Sequence, residues 1–78
     1  MEALVQQADA ATLNVQPRQR RDVYMWLAKD PEGRSVKHLL GELDIPEPEL
    51  RETLRKLEAA GLVQRHRAVW TAVPIDAS

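Results

Sequence analysis

The chain has 78 residues, a formal net charge of −1 and no cysteine. This length accommodates one domain, and the missing thiols exclude disulfides, thiolate zinc sites and a cysteine nucleophile. Apolar residues make up 44% of the sequence, but no run approaches the roughly 20 residues that a bilayer span needs. Because residues 1–7 lack the basic and apolar regions of a signal peptide, we expect a cytoplasmic protein.

Residues 1–16 are predicted to be an amino-terminal extension that contains a weak helix over residues 2–11. Four apolar residues share one face of this helix: Leu4, Val5, Ala8 and Ala11. Residues 12–16 are expected to interrupt it, because a residue that precedes a proline is biased away from the helical conformation. The extension either packs on its own domain or mediates dimerisation, and the sequence leaves both roles open.

Two helices with apolar faces are predicted between residues 17 and 43. Pro17 suits the first turn of the earlier helix, which ends in the turn Asp30-Pro31-Glu32-Gly33. Ser35 is a good N-cap for the later helix. The apolar stripes of the two helices are formed by Val23, Tyr24, Trp26 and Leu27, and by Val36, Leu39, Leu40 and Leu43.

The clearest helix is predicted over residues 47–60, after a break at residues 44–46. Leu50, Leu54 and Leu57 mark its buried stripe, and Gly61 is a natural left-handed residue beyond its end. From Leu62 onward the apolar pattern alternates, which predicts strands at residues 62–65 and 69–73 with a turn at 66–68. Pro74 ends the second strand.

Four predictions concern single side chains. Ile45 is apolar within a turn and is expected to plug the core, and Trp70 is expected to be a core residue. Trp26 and Tyr24 are expected in the core, with a partner interface as the alternative. His38 is expected on a helix surface rather than as a metal ligand, because the only other histidine, His66, lies far away in the sequence.

The order of helix, helix, short turn, helix and hairpin supports a resemblance. Residues 45–63, ending in Leu57-Glu58-Ala59-Ala60-Gly61-Leu62-Val63, resemble the recognition-helix signature of winged helix-turn-helix regulators such as the MarR-like and ArsR-like groups. The resemblance covers roughly residues 17–73. It implies a mainly α fold with a small β-hairpin, in which a three-helix core carries a two-stranded wing. The domain would then occupy residues 17–74, and residues 75–78 would form a tail.

The resemblance implies duplex DNA as the partner of a transcriptional regulator, with homodimerisation expected. Helix 47–60 would enter the major groove, and the wing at residues 64–69 would contact the backbone. Arginine can read guanine with two hydrogen bonds, and a helix start offers N–H groups to phosphate. Eight side chains are therefore predicted to contact DNA: Arg51, Arg55, Lys56, Arg65, His66, Arg67, Ser35 and Lys37.

The charge pattern favours a second hypothesis, a winged-helix module that binds proteins and not DNA. The chain has 12 acidic and 11 basic residues, and Glu47, Glu49 and Glu52 crowd the start of the helix that would enter the groove. Carboxylates beside phosphates repel them, although Glu47 and Glu52 are also spaced to pair with Arg51 and Lys56 along the helix. No nucleophile, metal cluster or phosphate loop supports catalysis, so we expect no enzyme activity and no cofactor, metal or membrane partner.

Overall fold

The computed structural model describes residues 8–75, which form four α-helices and a three-stranded antiparallel sheet. The helices are α1 (Ala10–Asn14), α2 (Arg18–Ala28), α3 (Val36–Glu42) and α4 (Glu47–Ala59). The strands are β1 (Arg34–Ser35), β2 (Val63–His66) and β3 (Val69–Ala72), and their order in the sheet is β1-β3-β2. The architecture is thus a small mixed α/β domain, and the helices predicted between residues 17 and 60 are confirmed.

The sheet contains one strand more than the two-stranded hairpin that the sequence predicts. Strand β1 pairs antiparallel with β3, so that Arg34 lies opposite Trp70 and Ser35 lies opposite Val69. Two residues are too few to show an alternating apolar pattern, and for this reason the sequence gives no sign of the strand. The pairing ties the segment between α2 and α3 to the hairpin.

The predicted break at residues 12–16 is wrong in part, because α1 runs through residues 10–14 and so continues into the segment that was expected to interrupt the helix. The side chain of Asp9 caps α1 by accepting a hydrogen bond of 2.9 Å from the backbone N–H of Ala11. Ala8 instead forms a parallel bridge with Ile75 and is buried. The rest of the predicted helix, at residues 2–7, lies outside the described residues.

The core lies between the helices and the sheet. Helix α2 packs on α4 and β3, α3 packs on α4, and α4 packs on β2. Among the side chains predicted for the core, Trp70 and Tyr24 are buried and Ile45 packs against the cluster while partly exposed. The hydroxyl of Tyr24 donates a hydrogen bond of 2.6 Å to the carbonyl of Val73, and burial raises the pKa of this phenol. The largest fully buried side chains are Leu27, Leu39, Leu50, Leu54, Leu57, Leu62, Val23 and Val63.

The end of α4 fixes the direction in which the hairpin leaves the helix. Gly61 has a φ of +79°, which confirms the predicted left-handed position after the helix. Its N–H donates to the carbonyl of Glu58 (3.0 Å), and the N–H of Leu62 donates to the carbonyl of Leu57 (2.9 Å). This pair of bonds is a Schellman motif, which satisfies carbonyls that the helix leaves free. Leu62 is thereby returned to the core at the start of the hairpin.

The hairpin turn is one residue tighter than the predicted turn at 66–68. His66 pairs with Val69, so Arg67 and Ala68 alone form the turn. Arg67 has a φ of +62°, as the first central residue of a type II′ turn requires, although glycine is the usual residue there. No glycine or asparagine marks the turn in residues 66–68, so the sequence pattern alone does not fix its length.

Candidate nucleic-acid interface

Three of the predicted arginines meet in one groove between α4 and the hairpin. Arg51 and Arg55 come from α4 and Arg65 comes from β2, and they line a groove of about 380 Å³. The remaining lining residues are Val36, Glu58 and Trp70. We call this surface the wing-side groove. With three arginines and one glutamate, its lining is cationic although the chain as a whole is slightly acidic.

Local structure explains why these arginines converge. Arg51 and Arg55 are four residues apart, so they lie on one side of α4, away from its buried leucines. Arg65 lies opposite Trp70 in the register of β2 and β3, and cross-strand partners share a face of the sheet. The guanidinium of Arg65 lies over the Trp70 ring, 5.9 Å from its centroid, within the range of a cation–π contact. This contact holds Arg65 beside the groove.

The cations of α4 differ in how far their charge is compensated. The Nε of Arg51 lies 2.8 Å from a carboxylate oxygen of Glu47, and the Nζ of Lys56 lies 3.2 Å from one of Glu52. These are the two i, i+4 pairs that the sequence predicts. Arg55, by contrast, makes no ion pair with any residue in the range 8–75. Arg55 is thus the one of these three cations that forms no ion pair in that range, and its nearest carboxylates along α4 are those of Glu52 and Glu58, which line a common surface with it.

Lys56 does not join the two arginines in the wing-side groove. It lies across α4, in a shallower groove of about 270 Å³ between α4 and the start of α2. Here Glu49 accepts a hydrogen bond of 2.9 Å from the side-chain amide of Gln19. We call this surface the α2-side groove, and it is lined by Pro17, Gln19, Arg20, Glu49, Glu52, Thr53 and Lys56. Its two cations face two carboxylates, so it carries no clear excess of either sign.

The three predicted DNA contacts on the hairpin, Arg65, His66 and Arg67, do not lie on one surface. Successive side chains of a strand point to opposite faces, which places His66 on the other face of the sheet from Arg65. Arg67 occupies the turn itself, and neither residue lines the wing-side groove. Both side chains are exposed at the tip of the wing. Of the three residues, only Arg65 shares a surface with α4.

Ser35 and Lys37, at the start of α3, differ in whether their side chains have polar partners within the described residues. The Ser35 hydroxyl accepts a hydrogen bond of 3.1 Å from the N–H of His38, which confirms Ser35 as the N-cap. The hydroxyl still has its own O–H to donate, and the ring Nδ1 of His38 lies 3.4 Å from its oxygen. Lys37 is exposed and makes no ion pair with another described residue. His38 is exposed as predicted.

Sequence reasoning missed a polar network centred on Arg34. Its guanidinium contacts Asp30, at 2.9 Å between Nε and Oδ2, and also contacts Glu42. The indole N–H of Trp26 donates to the other oxygen of Glu42 at 2.9 Å. The network joins the turn after α2, strand β1 and the end of α3. Asp30 and Glu42 are close to Arg34 in the sequence, but a turn, strand β1 and helix α3 separate them, so no single helical or strand spacing identifies the three as partners.

This network lowers the pKa of both carboxyl groups. Hydrogen bonds from the Glu32 N–H and then from Arg34 hold the pKa of Asp30 below its usual 3.8. Hydrogen bonds from Trp26 and then from Arg34 hold the pKa of Glu42 below its usual 4.5. A carboxylate with a lowered folded-state pKa stabilises the fold above the unfolded value, and the contribution is lost as pH falls through the folded value. The network therefore stabilises the domain at neutral pH and loses this contribution only in acid.

No protein-family model, no curated protein and no solved structure matches this chain. In the described part of the chain, no helix is both long and apolar enough to cross a membrane. Residues 8–75 also hold no group of three or more histidine, cysteine or acidic side chains that could bind a metal ion.

Proposed function

We propose that this chain is a winged helix-turn-helix domain that binds duplex DNA and acts in transcription regulation. The observation that carries the proposal is the wing-side groove, where Arg51 and Arg55 of one helix meet Arg65 of the hairpin. Two separate elements of the fold thus contribute charge to one surface. Guanidinium groups suit this role because they bind phosphate and guanine with two hydrogen bonds.

The dimensions of α4 support DNA as the partner. The helix has 13 residues and is therefore about 20 Å long, and its side opposite the leucine stripe is exposed. The major groove of B-form DNA is about 12 Å wide and admits an α-helix, whereas the deep, narrow major groove of A-form RNA does not. A protein that inserts α4 would therefore prefer duplex DNA to duplex RNA.

The proposal predicts salt-dependent binding to a labelled DNA duplex, measured by fluorescence anisotropy. If three arginines each neutralise one phosphate, log K should fall with log salt at a slope of about −2.7. This slope corresponds to a loss of roughly 40-fold between 50 and 200 mM salt. A duplex RNA of the same sequence serves as the control and should bind more weakly. No binding at low salt, or binding without a salt slope, would exclude the proposal.

A second candidate function, a protein-interaction module, is favoured by two exposed features that do not suit DNA, one acidic and one apolar. The first turn of α4 carries Glu47 and Glu49, and Met25 on α2 is 53% exposed. This role would leave the duplex unbound in the same titration. It would also require that a protein partner retained from lysate by the wild type is lost on Met25→Glu substitution.

A further inference from the structure

We propose that duplex DNA docks against the wing-side flank of α4, and not with the first turn of the helix leading into the groove. This inference rests on the proposed function and specifies its geometry. In many helix-turn-helix proteins the first residues of the recognition helix contact the bases. The distribution of ion pairs in this domain favours a different approach.

The first turn of α4 is unsuited to enter the DNA groove first, because it is acidic. Glu47 and Glu49 are both exposed and both lie within this turn, and Glu52 follows one turn later. Carboxylates near phosphates are repelled at short range, where salt screens the interaction least. The charge of Arg51 at this end of the helix is compensated by Glu47, at 2.8 Å.

The uncompensated charge lies further along the helix and on one flank. Among residues 8–75, neither Arg55 nor Arg65 makes an ion pair, and Arg65 makes a cation–π contact with Trp70. Both side chains line the wing-side groove. The opposite flank offers Arg20 and Lys56, but they share their groove with Glu49 and Glu52, and Lys56 is paired at 3.2 Å. The lining of the wing-side groove, with three arginines and Glu58, therefore has a larger surplus of positive charge than the lining of the α2-side groove.

Two matched pairs of variants test the docking geometry in the anisotropy titration. Arg55→Gln and Arg20→Gln remove the same group from opposite flanks, so they change the net charge equally. We expect Arg55→Gln to weaken duplex binding at least about fivefold and to reduce the salt slope by about 1, whereas Arg20→Gln changes affinity less than about twofold. Arg65→Gln should behave like Arg55→Gln. Far-UV circular dichroism shows whether each variant is folded.

The second pair removes one negative charge from the first turn of α4. Glu47→Gln removes the carboxylate that pairs with Arg51 beside the wing-side groove. Arg51 then contacts phosphate without a competing carboxylate, and binding should strengthen about threefold or more. The partner of Glu49 is the uncharged Gln19 on the other flank, and a glutamine at position 49 can still accept its hydrogen bond, so we expect Glu49→Gln to change affinity less than about twofold. If the helix start leads into DNA, both glutamine variants strengthen binding alike.

The outcomes separate the two claims. Equal effects within both pairs overturn the docking geometry, while salt-dependent binding by the wild type leaves the proposed function standing. If the wild type does not bind duplex DNA at low salt, the proposed function and the docking geometry both fail.

Discussion

Leu54→Ala is expected to destabilise the domain by about 2–5 kcal/mol, because it leaves a cavity where a fully buried side chain packs. Leu54 is 0% exposed and lies at the centre of the α4 stripe. Domains of this size are stable by only about 4–12 kcal/mol, so the loss is a large share of the total. A thermal melt followed by far-UV circular dichroism should show the midpoint lowered by roughly 8 °C or more.

Leu40 provides the matched control for this substitution. It lies on α3 and packs against the core while partly exposed, so Leu40→Ala removes the same atoms at less cost. We expect the midpoint of Leu40→Ala to lie between those of the wild type and Leu54→Ala. Equal melting temperatures for the two variants would contradict the central position of α4 in the core.

Gly33→Ala is the second substitution with a large expected effect. Gly33 has a φ of +87°, and an added Cβ would lie 2.6 Å from the carbonyl oxygen of Trp70 and from the side chains of Val69 and Thr71. The backbone oxygen cannot move without displacing β3, so the clash adds to the conformational strain. Together they should cost about 2–4 kcal/mol, measured by urea unfolding.

Substitutions at the two other glycines serve as controls that separate the effect of backbone strain from that of steric crowding. Gly61 has a φ of +79° with open space around it, so Gly61→Ala should cost only about 1–2 kcal/mol, from strain alone. Gly41 lies within α3 at an ordinary helical φ with nothing nearby, and Gly41→Ala should stabilise the domain by about 0.5–1 kcal/mol. If Gly33→Ala lowers the free energy of unfolding no more than Gly61→Ala does, the backbone at Gly33 does not lie as close to β3 as described.

The elements that the sequence predicted well are those with a periodic pattern. The leucines of α4 and the capping residues Ser35 and Gly61 act locally, so sequence spacing is enough to place them. Strand β1 is absent from the sequence prediction because it forms through its pairing with β3, a contact between distant parts of the chain. Helix α1 is predicted at the wrong residues because the cap from Asp9 starts it later than the apolar pattern suggests, and Pro17 does not prevent it from reaching residue 14.

The candidate site was predicted as a set of residues but not as a surface. Spacing along α4 pairs Arg51 with Glu47 and Lys56 with Glu52, and both pairs form. Whether a helix residue meets the hairpin depends on how α4 packs on β2, and the sequence does not encode this in any local pattern. The division between Arg55 on one flank and Lys56 on the other therefore emerged only from the tertiary structure.

The most direct test of the wing-side groove as the DNA interface is an amide chemical-shift map of the ¹⁵N-labelled domain, recorded while a DNA duplex is added. We expect the largest shifts at Arg55 and Arg65 and at their neighbours in the later turns of α4 and in β2. Amides that line the α2-side groove, including those of Gln19 and Arg20, should move little. Shifts centred on the α2-side groove, or an unchanged spectrum at low salt, would contradict the account.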